Sequence, residues 1–197
     1  MYEDIRKQFF PMSLPSGVVC RLLDREAAQA SIRAAKVQIF HPKEEFGVFL
    51  APEARREKLE HLKKMLAYSD EKWMVFYSAE GEPVGWFIGY MEDEETFFID
   101  TIGLVPAFRN RGIYSAFLRG LVAYLGALGY ERVTTTHHPN NRAVMIAELK
   151  AGFNIVGLEL HEGLGPMVKT AYYIHDDRRE GFKQVFSMAA DPTSEVG

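Results

Sequence analysis

Leu104-Val105-Pro106-Ala107-Phe108-Arg109-Asn110-Arg111-Gly112-Ile113-Tyr114-Ser115 is the stretch on which the fold turns. Ahead of it, Thr96 to Leu104 is rich in aromatic and β-branched residues and reads as a strand. Pro106 has no amide hydrogen for a ladder and stops that strand. Beyond Gly112, residues Ile113, Ala116, Phe117, Gly120, Leu121, Tyr124, Leu125 and Leu128 recur at helical spacing. They predict a long helix, with Gly129 placed to end it. The first amides of such a helix have no intrahelical acceptor, and its N-terminus bears a partial positive charge. A phosphate group suits that end. Arg109 and Arg111 flank the loop, and Gly112 removes a side chain where a ligand would pass closely. A pyrophosphate site is one reading. A plain strand-to-helix connection with two solvated arginines is the other, and this segment alone does not separate them.

Toward the N-terminus the pattern is that of strands. Trp73 to Ser78 and Val84 to Met91 flank the turn Ala79-Glu80-Gly81-Glu82 as a hairpin. The acidic turn Glu92 to Glu95 links it to Thr96–Leu104, making a three-stranded antiparallel meander. Earlier still, Val18 to Leu23 suits a first strand, and Asp24 caps a helix running to about Lys36. Pro52 precedes a further predicted helix, Glu53 to Leu66, with Leu59, Leu62, Met65 and Leu66 at helical spacing. Toward the C-terminus come a strand at Val133 to His137 and a helix from about Asn141 to Lys150, ending at Gly152. A last strand pair follows, Phe153 to Leu160 and Val168 to Ile174, joined by Gly163-Leu164-Gly165-Pro166. Meander, helix, strand, helix and strand pair predict an α+β fold with a mixed sheet, not a doubly wound one.

The chain of 197 residues is long enough for one domain with a full core and short for two. We expect a single domain over residues 1–187 and a loose tail over 188–197. With 27 acidic and 23 basic residues the net charge is −4, and no basic stripe is present, which argues against a nucleic-acid partner. Cys20 is the only cysteine, so no internal disulfide is possible. Residues 1–13 lack the apolar stretch of a signal peptide, and no apolar run is long enough to span a membrane. A cytoplasmic location without membrane attachment is the expectation. Neither the histidines His41, His61, His161 and His175 nor the one cysteine shows metal-ligand spacing, so no metal is expected.

Arg109-Asn110-Arg111-Gly112-Ile113-Tyr114 resembles the acetyl-CoA-binding signature of the GNAT acetyltransferase superfamily, [QR]-x-x-G-x-[GA]. Tyr114 departs from it, standing where the family usually has Gly or Ala. A second segment, Asn140-Asn141-Arg142-Ala143 followed by Leu149-Lys150-Ala151-Gly152-Phe153, is similar to the family's later helix, although the interval from Asn140 to Gly152 is one residue longer than usual. The resemblance covers most of the chain, from Val18 to Ile174. It implies the GNAT fold: a central, mostly antiparallel sheet with a V-shaped splay between two parallel strands, flanked by helices.

On that resemblance the cofactor is acetyl-CoA, as acyl donor, and the acceptor is an amine, small or on a peptide. Pantetheine would lie in a gap between Thr101–Val105 and Val133–His138. Backbone groups of Ile102, Gly103 and Leu104 would meet it, and the Leu104 amide would polarise the thioester carbonyl. The amides of Asn110, Arg111, Gly112, Ile113, Tyr114 and Ser115 would hold the pyrophosphate, with Arg109 among the cofactor-binding residues, and Asn140 or Asn141 would lie near the cofactor. Many members carry a tyrosine four residues before the Gly-Phe pair. Here that position is Glu148, expected to face solvent, which leaves water or another tyrosine, Tyr114, Tyr172 or Tyr173, to protonate the thiolate. Asp100 is the expected base, on one face with Phe98 and Ile102 by strand alternation and desolvated by Phe97, Phe98, Ile99 and Ile102. His137 and His138 end the opposite strand; His138 is the second catalytic candidate, against the alternative that both rings cap the strand. Phe182–Phe186 is a candidate homodimer contact, and Arg178-Arg179-Glu180 beside it a solvated turn. A non-catalytic CoA-binding protein of the same fold is the competing reading.

Overall fold

The computed structural model describes residues 1–39 and 70–188. The helix predicted over Glu53–Leu66 and tail residues 189–197 lie outside the described residues. Helix α1 (Tyr2–Phe9) and a two-residue strand β1 (Met12–Ser13) come first, neither expected from the sequence. Strand β2 (Val19–Leu23) leads into α2 (Arg25–Ile39), whose first turn Asp24 caps by accepting from the Ala27 amide at 2.8 Å. The meander follows as β3 (Lys72–Tyr77), β4 (Pro83–Met91) and β5 (Thr96–Leu104). Then come α3 (Ile113–Leu128), β6 (Arg132–His137), α4 (Arg142–Ala151), β7 (Asn154–His161) and β8 (Gly165–Tyr173). A last helix, α5 (Asp176–Met188), stands where a turn was expected.

The strands form one sheet in the order β1-β2-β3-β4-β5-β6-β8-β7. Every pairing is antiparallel except β5 with β6. Alternation sends Phe76 of β3 and Phe87 of β4 to one face, where they meet Phe117 of α3 at ring-centroid distances of 4.9 and 5.1 Å. Phe97 continues the cluster, 6.3 Å from Phe87 and 5.3 Å from Tyr130. The helical stripe read from the sequence is the buried one: Ile113, Phe117, Leu121, Tyr124 and Leu125 are all buried. Helix α1 packs against α3, with Phe10 and Phe9 against Tyr124 at 5.0 and 5.7 Å. Helix α2 covers β3 and β4 from the opposite face, where Ser31 and Tyr77 share a hydrogen bond of 2.9 Å.

Arg178 and Arg179 are not in a solvated turn. Arg178 bonds Glu95 at 2.9 Å, and Arg179 donates to the carbonyls of Tyr173 and Ile174 at 2.7 and 2.6 Å. These bonds tie α5 to the sheet, and Phe182 lies 4.9 Å from Tyr173 on its own chain. The first part of the aromatic segment offered for a dimer is therefore packed internally.

Phe117 is fully buried between two aromatic strands and α3. Phe117→Ala should lower unfolding stability by about 3–5 kcal/mol, the cost of a large core cavity. Chemical denaturation measures it, and an unchanged midpoint would show that α3 is not seated on β3 and β4.

Candidate active site

The parallel ladder between β5 and β6 is short. Thr96, Phe97, Phe98 and Ile99 pair with Arg132, Val133, Thr134 and Thr135, and there it ends. At the same place the β4–β5 ladder shifts register: Ile88 faces Thr101 but Gly89 faces Ile99, leaving Asp100 as the extra residue of a bulge. Beyond it β5 stays on β4 through Leu104 and parts from β6. On β6 the open stretch is shorter than expected, because Val133 to Thr135 are paired and only Thr136 and His137 remain.

The backbone direction along the open edge follows from one bond. The Val105 amide donates to the Val84 carbonyl at 2.8 Å, toward β4. With a period of two, the amides and carbonyls of Ile102 and Leu104 point the other way, into the splay. Arg109 takes one of them: its Nε donates to the Leu104 carbonyl at 2.9 Å, binding the loop to the strand end. The guanidinium of Arg111 lies over Phe108, 5.3 Å from the ring centre.

In the loop, Asn110 and Gly112 both have left-handed backbones, with φ of 59° and 74°. Gly112 is the N-cap of α3 and no side chain caps that helix, so its first amides are left for a ligand or solvent. A Cβ at Gly112 would meet nothing within 4 Å. Glycine is therefore suited here by its positive φ and not by any crowding among the described residues. These features fit a pyrophosphate.

The bulge changes the reading of Asp100. Facing residues across β4 and β5 place Phe97, Ile99, Ile102 and Leu104 on the α3 face, but Phe98 and Thr101 on the other. Phe98 and Ile102 thus lie on opposite faces, since the extra residue reverses the alternation. Asp100 is exposed, and its carboxylate accepts from the Thr101 hydroxyl at 3.0 Å. The enclosure that was to tune it is missing. Its neighbour Tyr90, 5.4 Å from Phe98, has its phenol pushed up by burial and by the charges of Asp100 and Glu92.

Glu148 is the largest departure from expectation. Its side chain is 0% exposed, whereas Ile146 and Leu149 on the same helix are exposed. The carboxylate accepts three hydrogen bonds: from the Tyr114 hydroxyl at 2.6 Å, from His137 Nε2 at 2.8 Å, and, on its other oxygen, from the Thr170 hydroxyl at 2.9 Å. Thr135, His137 and Thr170 all point to the helix-covered face, as the β6–β8 register requires. A helix above three inward polar groups needs an acceptor pointing down. Inward-facing polar residues on adjacent strands were the available signal, and helical spacing on α4 alone could not supply it. Burial and the Glu148 charge push the Tyr114 phenol well above its ordinary range.

The other candidates are placed as follows. His138 is a cap: its Nδ1 accepts the Asn140 amide hydrogen at 3.2 Å. Asn140 and Asn141 are exposed at the start of α4. Tyr172 and Tyr173 lie opposite Val133 and Arg132, at the end where β5 and β6 are still paired, and they pack on Phe153 and Phe182. Of the three tyrosines, Tyr114 alone stands beside the splay.

A model of the acetyltransferase (GNAT) family matches residues 38–153, more than half of the chain. The chain belongs to the GNAT acetyltransferase family. Among solved structures, a spermidine/spermine N-acetyltransferase of Vibrio cholerae superposes with a TM-score of 0.58 at 13% identity, over 84% of this chain and 97% of that one. A chimera of the Vibrio cholerae spermidine N-acetyltransferase gives 0.59 at 15% identity, over 84% and 99%. An acetyltransferase of Bacillus cereus, described as an IAA acetyltransferase, gives 0.56 at 15% identity, over 79% and 99%. At such identities the likeness is one of fold. No protein of curated function matches the sequence. The GNAT fold and the acetyltransferase assignment made from the two sequence segments are thereby established.

Removing the central carboxylate should be costly. Glu148→Ala leaves Tyr114, His137 and Thr170 without their acceptor and opens a cavity, an expected loss of about 3 kcal/mol. Glu148→Gln, which keeps volume and an acceptor oxygen, should lose less than half as much. Equal stability of both variants with the parent in urea would mean the network does not form.

Proposed function

We propose that this GNAT chain transfers an acetyl group from acetyl-CoA to a primary amine by direct attack of the amine on the thioester. The observation that carries the proposal is the splay after Ile99 and Thr135, which leaves the Ile102 and Leu104 edge beside the uncapped N-terminus of α3. A strand edge with outward amides and carbonyls suits an extended chain of alternating donors and acceptors, which pantetheine is. The amides from Asn110 to Ser115, with Arg109 and Arg111 beside them, suit its pyrophosphate. Acetyl-CoA supplies the activated carbonyl and a thiol leaving group.

The chain's residues then have separable tasks. The Leu104 amide donates to the carbonyl oxygen, where negative charge develops during attack. Arg109 steadies that donor, because its bond to the Leu104 carbonyl holds the strand end in register. Asp100, exposed at the fork of the splay, draws a cationic amine and accepts its proton directly or through water. Phe98 and Tyr90 flank it on the face away from α3. His138 holds the turn after β6, and Asn140 presents its exposed side chain nearby.

Calorimetric titration with acetyl-CoA, followed by assay of thiol release with a panel of amines, tests the reading. Micromolar binding and amine-dependent thiol release are expected. Binding without release from any amine would instead favour a non-catalytic CoA-binding role. Gly112→Glu, which adds charge and strain at the helix N-terminus, should weaken binding at least about tenfold. Unchanged affinity would remove the loop from the site.

A further inference from the structure

The side chain that protonates the departing sulfur has no obvious bearer in the sequence, since Glu148 stands where many family members have a tyrosine. The structure brings a phenol to that place from another helix. Tyr114 sits in the first turn of α3, which follows β5; Glu148 sits on α4, which follows β6. Their hydrogen bond of 2.6 Å therefore crosses from one arm of the splay to the other, beside the last residue of β6, His137. The two departures from the family pattern, a tyrosine at 114 and a glutamate at 148, are in direct contact.

Resting on the acetyl-CoA reading above, we propose that Tyr114 is the catalytic acid, with Glu148 as its positioning residue. Tyr114 gives its phenolic proton to sulfur as the carbon–sulfur bond breaks and its electron pair leaves on sulfur. The carbon–nitrogen bond forms at the same carbon; the proton shed by the amine nitrogen passes to Asp100, and a proton from solvent restores the phenol. The overall exchange is one proton lost by nitrogen and one gained by sulfur.

The network allows the phenol to turn. The Glu148 oxygen that accepts from Tyr114 also accepts from His137 Nε2, and the other oxygen accepts from Thr170. When Tyr114 redirects its hydroxyl to sulfur, neither carboxylate oxygen is left without a donor. The other side chains considered are excluded by place: Tyr172 and Tyr173 stand at the paired end of β6, and His138 is engaged in its turn. Burial and the neighbouring carboxylate keep the phenol protonated before the acyl donor arrives.

The experiment compares CoA with desulfo-CoA, which lacks the sulfur, by calorimetry on the parent, Tyr114→Phe and Glu148→Gln. The parent should prefer CoA by about fivefold, the worth of one hydrogen bond to sulfur. Tyr114→Phe should lose that preference, while Glu148→Gln, which leaves the phenol an acceptor, should keep it within about twofold. Turnover of Tyr114→Phe should fall by about 10²-fold, and less with acetyl thioesters of more acidic thiols. A preference retained in Tyr114→Phe overturns the assignment while leaving the acetyl-CoA reading intact. Failure of the parent to bind either ligand overturns both. Should Tyr114→Phe not fold, a crystal structure of the parent with CoA decides: Tyr114 Oη within hydrogen-bond reach of sulfur is expected, and a separation beyond about 5 Å overturns the proposal.

Discussion

One extra residue in β5 governs the architecture of the site. Asp100 has no partner on β4, and Gly89 stands across the bulge. A side chain at Gly89 would collide there: its Cβ would lie 2.4 Å from Phe97 Cε1 and 2.7 Å from the Phe98 carbonyl oxygen. A bulge bends its strand and increases the local twist. β5 keeps its bonds to β4 on one side and loses its parallel partner on the other at the same point. The edge so exposed turns backbone groups without a strand partner into the middle of a sheet, only the Leu104 carbonyl being met by Arg109 among the described residues, an arrangement that folded proteins ordinarily avoid. Bulge and missing ladder are one feature, and a ligand that completes the ladder is what gives it sense.

An opened sheet needs something to hold its arms at a fixed separation. On the helix-covered face, α3 and α4 do so, and they touch through a polar contact as well as an apolar one. A buried carboxylate is expensive unless each oxygen is satisfied, and here three donors from α3, β6 and β8 converge on it. Such networks specify geometry more than they add stability, because a shift of any member leaves a buried group unpaired. The distance between the arms is then set by hydrogen-bond length. A purely apolar contact would tolerate sliding.

Period-two and period-3.6 patterns carried most of the fold. The meander, the stripe on α3 and the glycine caps at 129 and 152 appear where the sequence places them. The missed elements, α1 and α5, are mostly polar, and the apolar stripe of α1 rests on only three residues, Tyr2, Ile5 and Phe9. One leans on Tyr124 and the other hangs on arginine bonds to Glu95 and backbone carbonyls. Both depend on tertiary partners that local propensity does not register. In the proposed site, the conformation of the loop before α3 was legible because it is written in Gly112. The facing of Asp100 was not, since strict alternation has no means of announcing a bulge. Glu148 was misread for a related reason. A charged residue on a short helix belongs outside by default, and only the inward threonines and histidine of two other strands reverse that.

The exchange of residues at 114 and 148 also bears on how the first turn of α3 works. Its backbone amides face the loop, while the Tyr114 side chain reaches across the splay to α4. A ligand group drawn onto those amides would bear on the same turn that carries the phenol. Phosphate capture and the placing of a proton donor would then share one rigid element, so that an acyl donor seated by its pyrophosphate finds the acid already aligned. A tyrosine carried by α4 would have its position set by the far arm and would depend on the width of the splay. Moving the phenol to α3 makes its placement relative to the phosphates a property of a single helical turn, and leaves Glu148 the simpler task of holding it until the sulfur arrives.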